Sequence, residues 1–415
     1  MKVRVVNLNY VLLMHLICEP GISSAEDFDI WGDRAEKNGL GKGNEMNFSS
    51  MVKNSDISRL PRVLNFFPVP FVEECKANDG RRRGICMNTY ECRIQEGKSY
   101  GFCALGFGVC CVFTATCDQE VINNLTYFVN PDFPDLTKGM SSCTLNVKKI
   151  EPEISQIRLD FVHFNLGQPN RQTGVCEEDV FQIIAGNSSE EFTLCGLNSG
   201  QHVYFDVNSL DEIKIEMTLD KKAVSRFWEI IITQMAFTEQ APPGCLQYFT
   251  GPDGTIQTMN FADNGRHLAN QDYNICIRQE EGMCSIAYEP CHENAFRIAP
   301  NSLDSGAVPT NMDEGSGDEE VETISRALKM CNDKIVLPCD SEELILPGLM
   351  NMMPGSCSLE HCGLSLCPSG NSPCRIESSV TPFNIGVHFA ESAAEASPEE
   401  NLGMCLNYEQ IPCGD

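Results

Sequence analysis

Between residues 157 and 232 the chain alternates apolar and polar positions with the two-residue period of half-buried strands. Ile157, Leu159 and Phe161 fall on one side, with Arg158 and Asp160 on the other. Val203, Phe205 and Val207 alternate again, as do Ile213, Ile215, Met217 and Leu219, with Lys214 and Glu216 outward. Trp228, Ile230 and Ile232 close the series. Clusters of turn residues separate these runs, as at Gly167-Gln-Pro-Asn170 and Asn198-Ser-Gly200. Short alternating strands between turn signals predict a β-sandwich. Residues 26–72 show little periodicity and are frequent in Gly, Asn, Ser and Lys, which predicts a flexible spacer. Its end, Phe66-Phe-Pro-Val-Pro-Phe71, is apolar and proline-rich, hence extended. Residues 1–25 have a positive start at Lys2 and Arg4, an apolar run broken only by His15, and small residues at Ser23-Ser24-Ala25. These are the parts of a signal peptide.

The cysteine count bears on the same compartment. There are 23, and setting aside Cys18 in the leader leaves an even 22. An even set behind a leader reads as disulfides, which persist only where conditions are oxidising. Three sequons, at Asn47, Asn124 and Asn187, mark glycosylation sites of a secreted protein. No later apolar stretch is long enough for a membrane anchor. The net charge of −28 argues against nucleic acid and anionic membranes, and favours basic or calcium-bridged partners.

Six cysteines fall in a compact module at 73–113: Cys75, Cys86, Cys92, Cys103, Cys110 and Cys111. So short a segment cannot bury a self-sufficient core, so covalent bonds must close it, in a pairing the sequence alone does not choose. Gly84-Ile-Cys86, Glu91-Cys92 and Gly108-Val-Cys-Cys111 resemble the clip-type modules of arthropod extracellular proteins. That resemblance implies Cys75–Cys110, Cys86–Cys103 and Cys92–Cys111. Arg81-Arg-Arg83 reads as a solvated surface loop, with attraction of an anionic glycan or proteolytic processing as sharper readings.

Residues 114–240 resemble a CUB domain throughout. The resemblance is carried by Cys117, Cys143, the run from Ile157 to Leu166, Cys176-Glu-Glu-Asp-Val-Phe-Gln-Ile183, Leu194-Cys-Gly196 and Phe227-Trp-Glu-Ile-Ile-Ile232. It implies bridges Cys117–Cys143 and Cys176–Cys195. Residues 241–415 resemble a second, diverged CUB domain. Here the residues are Pro243-Gly-Cys-Leu-Gln-Tyr-Phe249, Gly265-Arg-His-Leu-Ala-Asn-Gln-Asp-Tyr-Asn-Ile-Cys-Ile277, His361-Cys-Gly363 and Gly403-Met-Cys-Leu-Asn-Tyr-Glu-Gln-Ile-Pro-Cys413. Cys245–Cys276 and Cys331–Cys362 would be its family bridges, with eight further cysteines unassigned. An acidic insert at about 301–322 reads as a solvated loop, with calcium or a cationic partner as the sharper reading. The expected fold is therefore all-β: two disulfide-bridged CUB-type sandwiches preceded by a six-cysteine module.

Calcium is the cofactor this resemblance implies. Many CUB domains hold one ion through a Glu and two Asp on loops at one end of the sandwich, and the ordered loop receives a partner's lysine. Asp179 stands at the central ligand position and Asp220 is a second candidate, but Gly167 occupies the position of the glutamate. A solvated turn acid is the favoured reading of Asp179. Asp333, two residues after Cys331, is the second domain's counterpart, displaced by one residue. Zinc fits Cys357, Cys362, Cys367 and Cys374 poorly, because their spacing lacks the usual close pairs.

No serine-protease motif is found, and His163, His202, His267, His292, His361 and His388 are scattered. His292-Glu-Asn-Ala-Phe296 lacks the second histidine of a zinc protease. The reading is a secreted, non-enzymatic binding or adaptor protein with an extracellular protein partner. Alternatives are a carbohydrate-binding protein using Tyr248, Phe249 and Tyr273, or a catalytically dead relative of clip and CUB serine proteases acting as a regulator.

Overall fold

A computed structural model of the chain describes residues 74–185, 192–207, 213–220, 226–262, 265–299, 331–338, 359–367, 373–391 and 397–414. All lie in one contact unit, Leu64–Asp415. The leader, the spacer, Asn47, Asn187, the acidic insert, Cys339 and Cys357 lie outside the described residues. The architecture is all-β apart from short helical turns, and the α-helix among the described residues is Thr89–Ile94.

The first sandwich packs two sheets. One contains Thr126–Val129, Phe227–Ala236, Ile154–Asn165 and His202–Asp206 in that spatial order. The other runs Phe192–Leu194, Val180–Ala185, Ile213–Thr218, Ser142–Val147, Gln119–Val121. Ile157, Leu159, Phe161, Ile213, Ile215, Met217, Leu219, Trp228, Ile230 and Ile232 are all buried, on the side the alternation assigns them. Phe161, Phe164 and Phe181 meet between the sheets, with ring centroids 4.9–6.0 Å apart. The alternation breaks at a β-bulge. Phe161 pairs with Ile230 but His163 pairs with Glu229, so Val162 is the extra residue. Val162 and His163 both face outward, and Phe164 and Leu166 return to the core.

The six-cysteine module is fused to this sandwich. It is built from Glu74–Lys76, Arg83–Met87, Lys98–Cys103 and Gly108–Ala115, with bridges Cys75–Cys110, Cys86–Cys103 and Cys92–Cys111. The strand Gly108–Ala115 serves both parts. Its first half pairs with Arg83–Met87, and Phe113, Thr114 and Ala115 pair in parallel with Thr126, Tyr127 and Phe128. Arg82 reinforces the junction. Its guanidinium binds Glu229 at 2.8–3.0 Å and lies 5.1 Å from the Tyr127 ring centroid and 5.2 Å from that of Phe133. The Arg83 N–H donates to the Tyr127 hydroxyl at 2.7 Å, and the Arg83 side chain pairs with Glu74. The arginine cluster is thus a structural joint at its centre, because Arg82 finds a carboxylate and two aromatic faces at once.

The second sandwich has one sheet of Cys245–Phe249, Gln271–Ile277, Asn384–Phe389, Lys334–Val336 and Glu360–His361. The other contains Asp253–Gln257, Gly403–Pro412, Met283–Pro290 and Ile376–Ser378. Ile256, Ile275, Ile286, Ile335, Ile385, Val387, Met404 and Leu406 fill the space between them. Bridges Cys117–Cys143 and Cys176–Cys195 staple the first sandwich, and Cys245–Cys276 and Cys331–Cys362 the second. Of the unassigned cysteines, Cys284 joins Cys413, Cys291 joins Cys405 and Cys367 joins Cys374.

Cys284–Cys413 and Cys291–Cys405 are nested and clamp opposite ends of the pairing between Met283–Pro290 and Gly403–Pro412. They close segments of 129 and 114 residues. Each alone keeps the long loop shut, so removing one frees only a short loop. On chain-entropy grounds either serine pair should cost about 3 kcal/mol, and both together about 7–8 kcal/mol, more than the sum. Guanidinium unfolding of the three variants checks this, and strict additivity would count against it.

Candidate functional site

The turn after Asn165 and the turn after Cys176 meet at one end of the first sandwich. Leu166 N–H donates to the Gly196 carbonyl at 3.0 Å, and Gly196 N–H returns to the Gly167 carbonyl at 2.8 Å. The Cys176–Cys195 bridge holds the other side. Between them lies a cleft of about 410 Å³ lined by residues 165–170 with Glu177 and Glu178. Asn170 donates to Glu177 at 3.0 Å across it.

Asp179 lies beneath this cleft and is 1% exposed. It meets Arg226, whose side chain is fully buried. Arg226 Nε donates to Asp179 Oδ2 and Nη2 to Oδ1, both at 2.6 Å. Gly167 N–H donates to Oδ2 at 2.7 Å and Asp220 N–H to Oδ1 at 3.1 Å. Burial pushes the Asp179 carboxyl up, but the Arg226 guanidinium and the two N–H groups outweigh it and hold the carboxyl below its usual range. Arg226 is placed by paired backbone bonds with Thr137, at 3.0 and 3.1 Å. Asn130 fixes both neighbours, donating to the Thr137 hydroxyl and accepting from Trp228 N–H.

The expected calcium ligands are brought together, but in a form that does not fit the ion. Calcium takes six to eight oxygens, several of them carboxylate. Here Asp179 has both oxygens engaged by donors, and Asp220 approaches it through its N–H. Among the described residues no group of three or more His, Cys, Asp or Glu is placed to hold a metal.

The second sandwich carries a related cluster. Asp333, His267 and Arg266 are each at most 2% exposed. His267 stacks on Phe389 with centroids 4.0 Å apart, and its Nε2 lies 3.7 Å from Asp333 Oδ2. Asp333 Oδ1 accepts from Ala390 N–H at 2.7 Å. Burial pushes the Asp333 carboxyl up, lowers Arg266, and with Arg266 beside it lowers His267 to about 3. Arg266 Nε and Nη2 find no acceptor among the described residues.

Asn260 connects the two ends. It is fully buried, with φ of +59°. Its N–H donates to Asn198 Oδ1 at 2.7 Å, and its Oδ1 accepts from Leu197 N–H at 2.8 Å. Its Nδ2 donates to Gln168 Oε1 at 3.2 Å and to the Arg266 carbonyl at 2.9 Å. Gly196, at φ +80°, must be glycine, because a Cβ there would collide with the Asn260 amide. Further along the junction His202 Nε2 lies 2.9 Å from the Tyr248 carbonyl oxygen and 3.2 Å from its backbone nitrogen, and the His202 ring packs on Phe249. The aromatics of the carbohydrate alternative lie at this junction or in the core. Tyr248 and Phe249 belong to the inter-sandwich junction, and Tyr273 is buried, its hydroxyl accepting from Met259 N–H. Arg226, Arg266 and Asn260 were not singled out in the sequence as site residues, since nothing local separates a buried arginine or asparagine from a surface one.

A family model described as "Animal CUB domain" matches residues 242–411, and one described as "CUB domain" matches residues 117–231. No curated protein matches the chain. Among solved structures, the CUB1-EGF-CUB2 domains of rat MASP-1 align at 16% identity over 71% of this chain and all of that one, with a TM-score of 0.24. The MASP-1 CUB2 domain bound to Ca2+ aligns at 19% identity over 28% of this chain and 98% of that one, with a TM-score of 0.23. The full extracellular region of zebrafish Gpr126/Adgrg6 aligns at 11% identity over 70% of this chain and 36% of that one, with a TM-score of 0.25.

Burial, with Arg158 nearby and Asp160 opposing, lowers His202 from 6.5 to about 4. His202 therefore stays neutral in the fold at a pH where the unfolded chain binds its proton. Its contribution is complete above pH 6.5 and drains as pH falls toward 4. His267 acts in the same sense, whereas Asp333, raised by burial, opposes it at lower pH. The His202 part should reach roughly 2–3 kcal/mol. Thermal midpoints across this range should fall less steeply in His202→Gln, and parallel curves would exclude the assignment.

Proposed function

Because the chain carries two CUB domains in tandem, we propose that it is a secreted, non-catalytic adaptor that binds an extracellular protein through the loop end of its first sandwich. CUB domains and many disulfides suggest secretion, for which residues 1–25 would be the leader. The observation that carries the reading is the cleft at residues 165–170, with Glu177 and Glu178 at its edge. It bears two carboxylates that Arg226 does not engage, so it suits a lysine or arginine side chain on a partner. The chain as a whole is acidic, with a net charge of −28, which would draw a basic partner toward it. The six-cysteine module, read as clip-type, would set this adaptor beside clip-bearing proteins of arthropod secretions. Asn124 suits a glycan, since its Oδ1 accepts from Gln234 N–H at 2.7 Å and from Leu125 N–H at 2.8 Å, leaving Nδ2 for the sugar.

The test is a pull-down from extracellular fluid with oxidised protein, comparing wild type with Glu177→Gln/Glu178→Gln. A discrete protein retained by wild type and weakened roughly tenfold or more by the double substitution is expected. Retention indifferent to the substitution, but abolished by glycosidase treatment of the fluid, would move the reading to carbohydrate.

A further inference from the structure

We infer that Arg226 takes the place of a metal cation at the loop end of the first sandwich, so that this end is ordered without calcium. A carboxylate offers about four acceptor positions. At Asp179 four donors fill them: Arg226 Nε and Gly167 N–H on Oδ2, Arg226 Nη2 and Asp220 N–H on Oδ1. The charge is balanced by the guanidinium, which is itself removed from water. The Asp220 carbonyl, an oxygen that could otherwise serve a hard cation, accepts from Arg226 Nη2 at 2.6 Å. One side chain thus meets the carboxylate and the carbonyl together.

Gly167 supplies an independent argument. A Cβ at this position would lie 3.0 Å from Asp179 Cγ and 3.1 Å from Oδ2, closer than ordinary contact. The backbone lies against the carboxylate, and a side chain starting from this residue would require Asp179 to give by a few tenths of an ångström. The missing glutamate and the inserted arginine are therefore two parts of one arrangement. A side chain at 167 would press on the carboxylate that its own N–H holds, and without Arg226 the buried carboxylate would keep an unbalanced charge. Asp333 of the second sandwich likewise faces Arg266 and His267.

A metal ion exchanges with solvent and follows its concentration, but a guanidinium on the chain does neither. The Gly167 and Asp220 amides, which donate to Asp179, are thus local reporters. Hydrogen exchange of peptides carrying them, followed by mass spectrometry, should show equal protection in millimolar calcium and in chelator. Arg226→Ala should reduce that protection roughly a hundredfold, with no recovery on adding calcium, and Arg226→Lys, which keeps the charge but loses the fork, should fall between. Protection of wild type only in calcium would overturn the inference, as would undiminished protection in Arg226→Ala. If Arg226→Ala yields no folded protein, wild type and Arg226→Lys decide by the same readout. This test needs no partner, so its failure is separable from that of the adaptor reading.

Discussion

A buried charge has to be answered within the fold, and the Asp179–Arg226 pair is where this molecule is most exposed to that demand. Removing either partner would leave an ion with almost no water access, at a cost of about 3–5 kcal/mol. The surrounding structure is organised to prevent it. Gly167 and Asp220 bring their N–H groups to the carboxylate, and Thr137 and Asn130 fix the backbone from which the arginine extends. The same turns line the cleft and lead to Asn260.

Much of the fold was legible because strands advertise themselves with a two-residue period. Ile157 to Phe161 and Ile213 to Leu219 faced the core as the alternation required. The period is silent where the backbone geometry departs from it. The bulge opposite Glu229 carries His163 outward and brings Phe164 into the core, and one strand's sequence cannot reveal a register shift with another. The parallel pairing of Phe113–Ala115 with residues 126–128 was equally hidden, since it depends on contacts beyond the module. Arg82 was misread for a related reason. Its neighbours Arg81 and Arg83 made it look like a surface charge, but Glu229 and Phe133 arrive from distant segments.

The site was half visible. Asp179 stood out through its place after Cys176, and Gly167 through the acid it replaces. What the sequence withheld was the cation. Arg226 is 47 positions from its carboxylate, and the spacing carries no period that could connect them. Asn260 was invisible in the same way, because its value lies in meeting four groups across two sandwiches.

The strand Gly108–Ala115, shared between the six-cysteine module and the first sandwich, leaves no free linker at that boundary. Asn260 and His202 remove slack at the next one. Two contact points on such a body keep a fixed spacing. A partner that touches both would lose little further freedom at the second contact, so its effective concentration there is set by geometry. The same stiffness discriminates. A bivalent partner of the wrong span would gain nothing from the second contact, so such a body would act as a ruler for any partner that touched it twice.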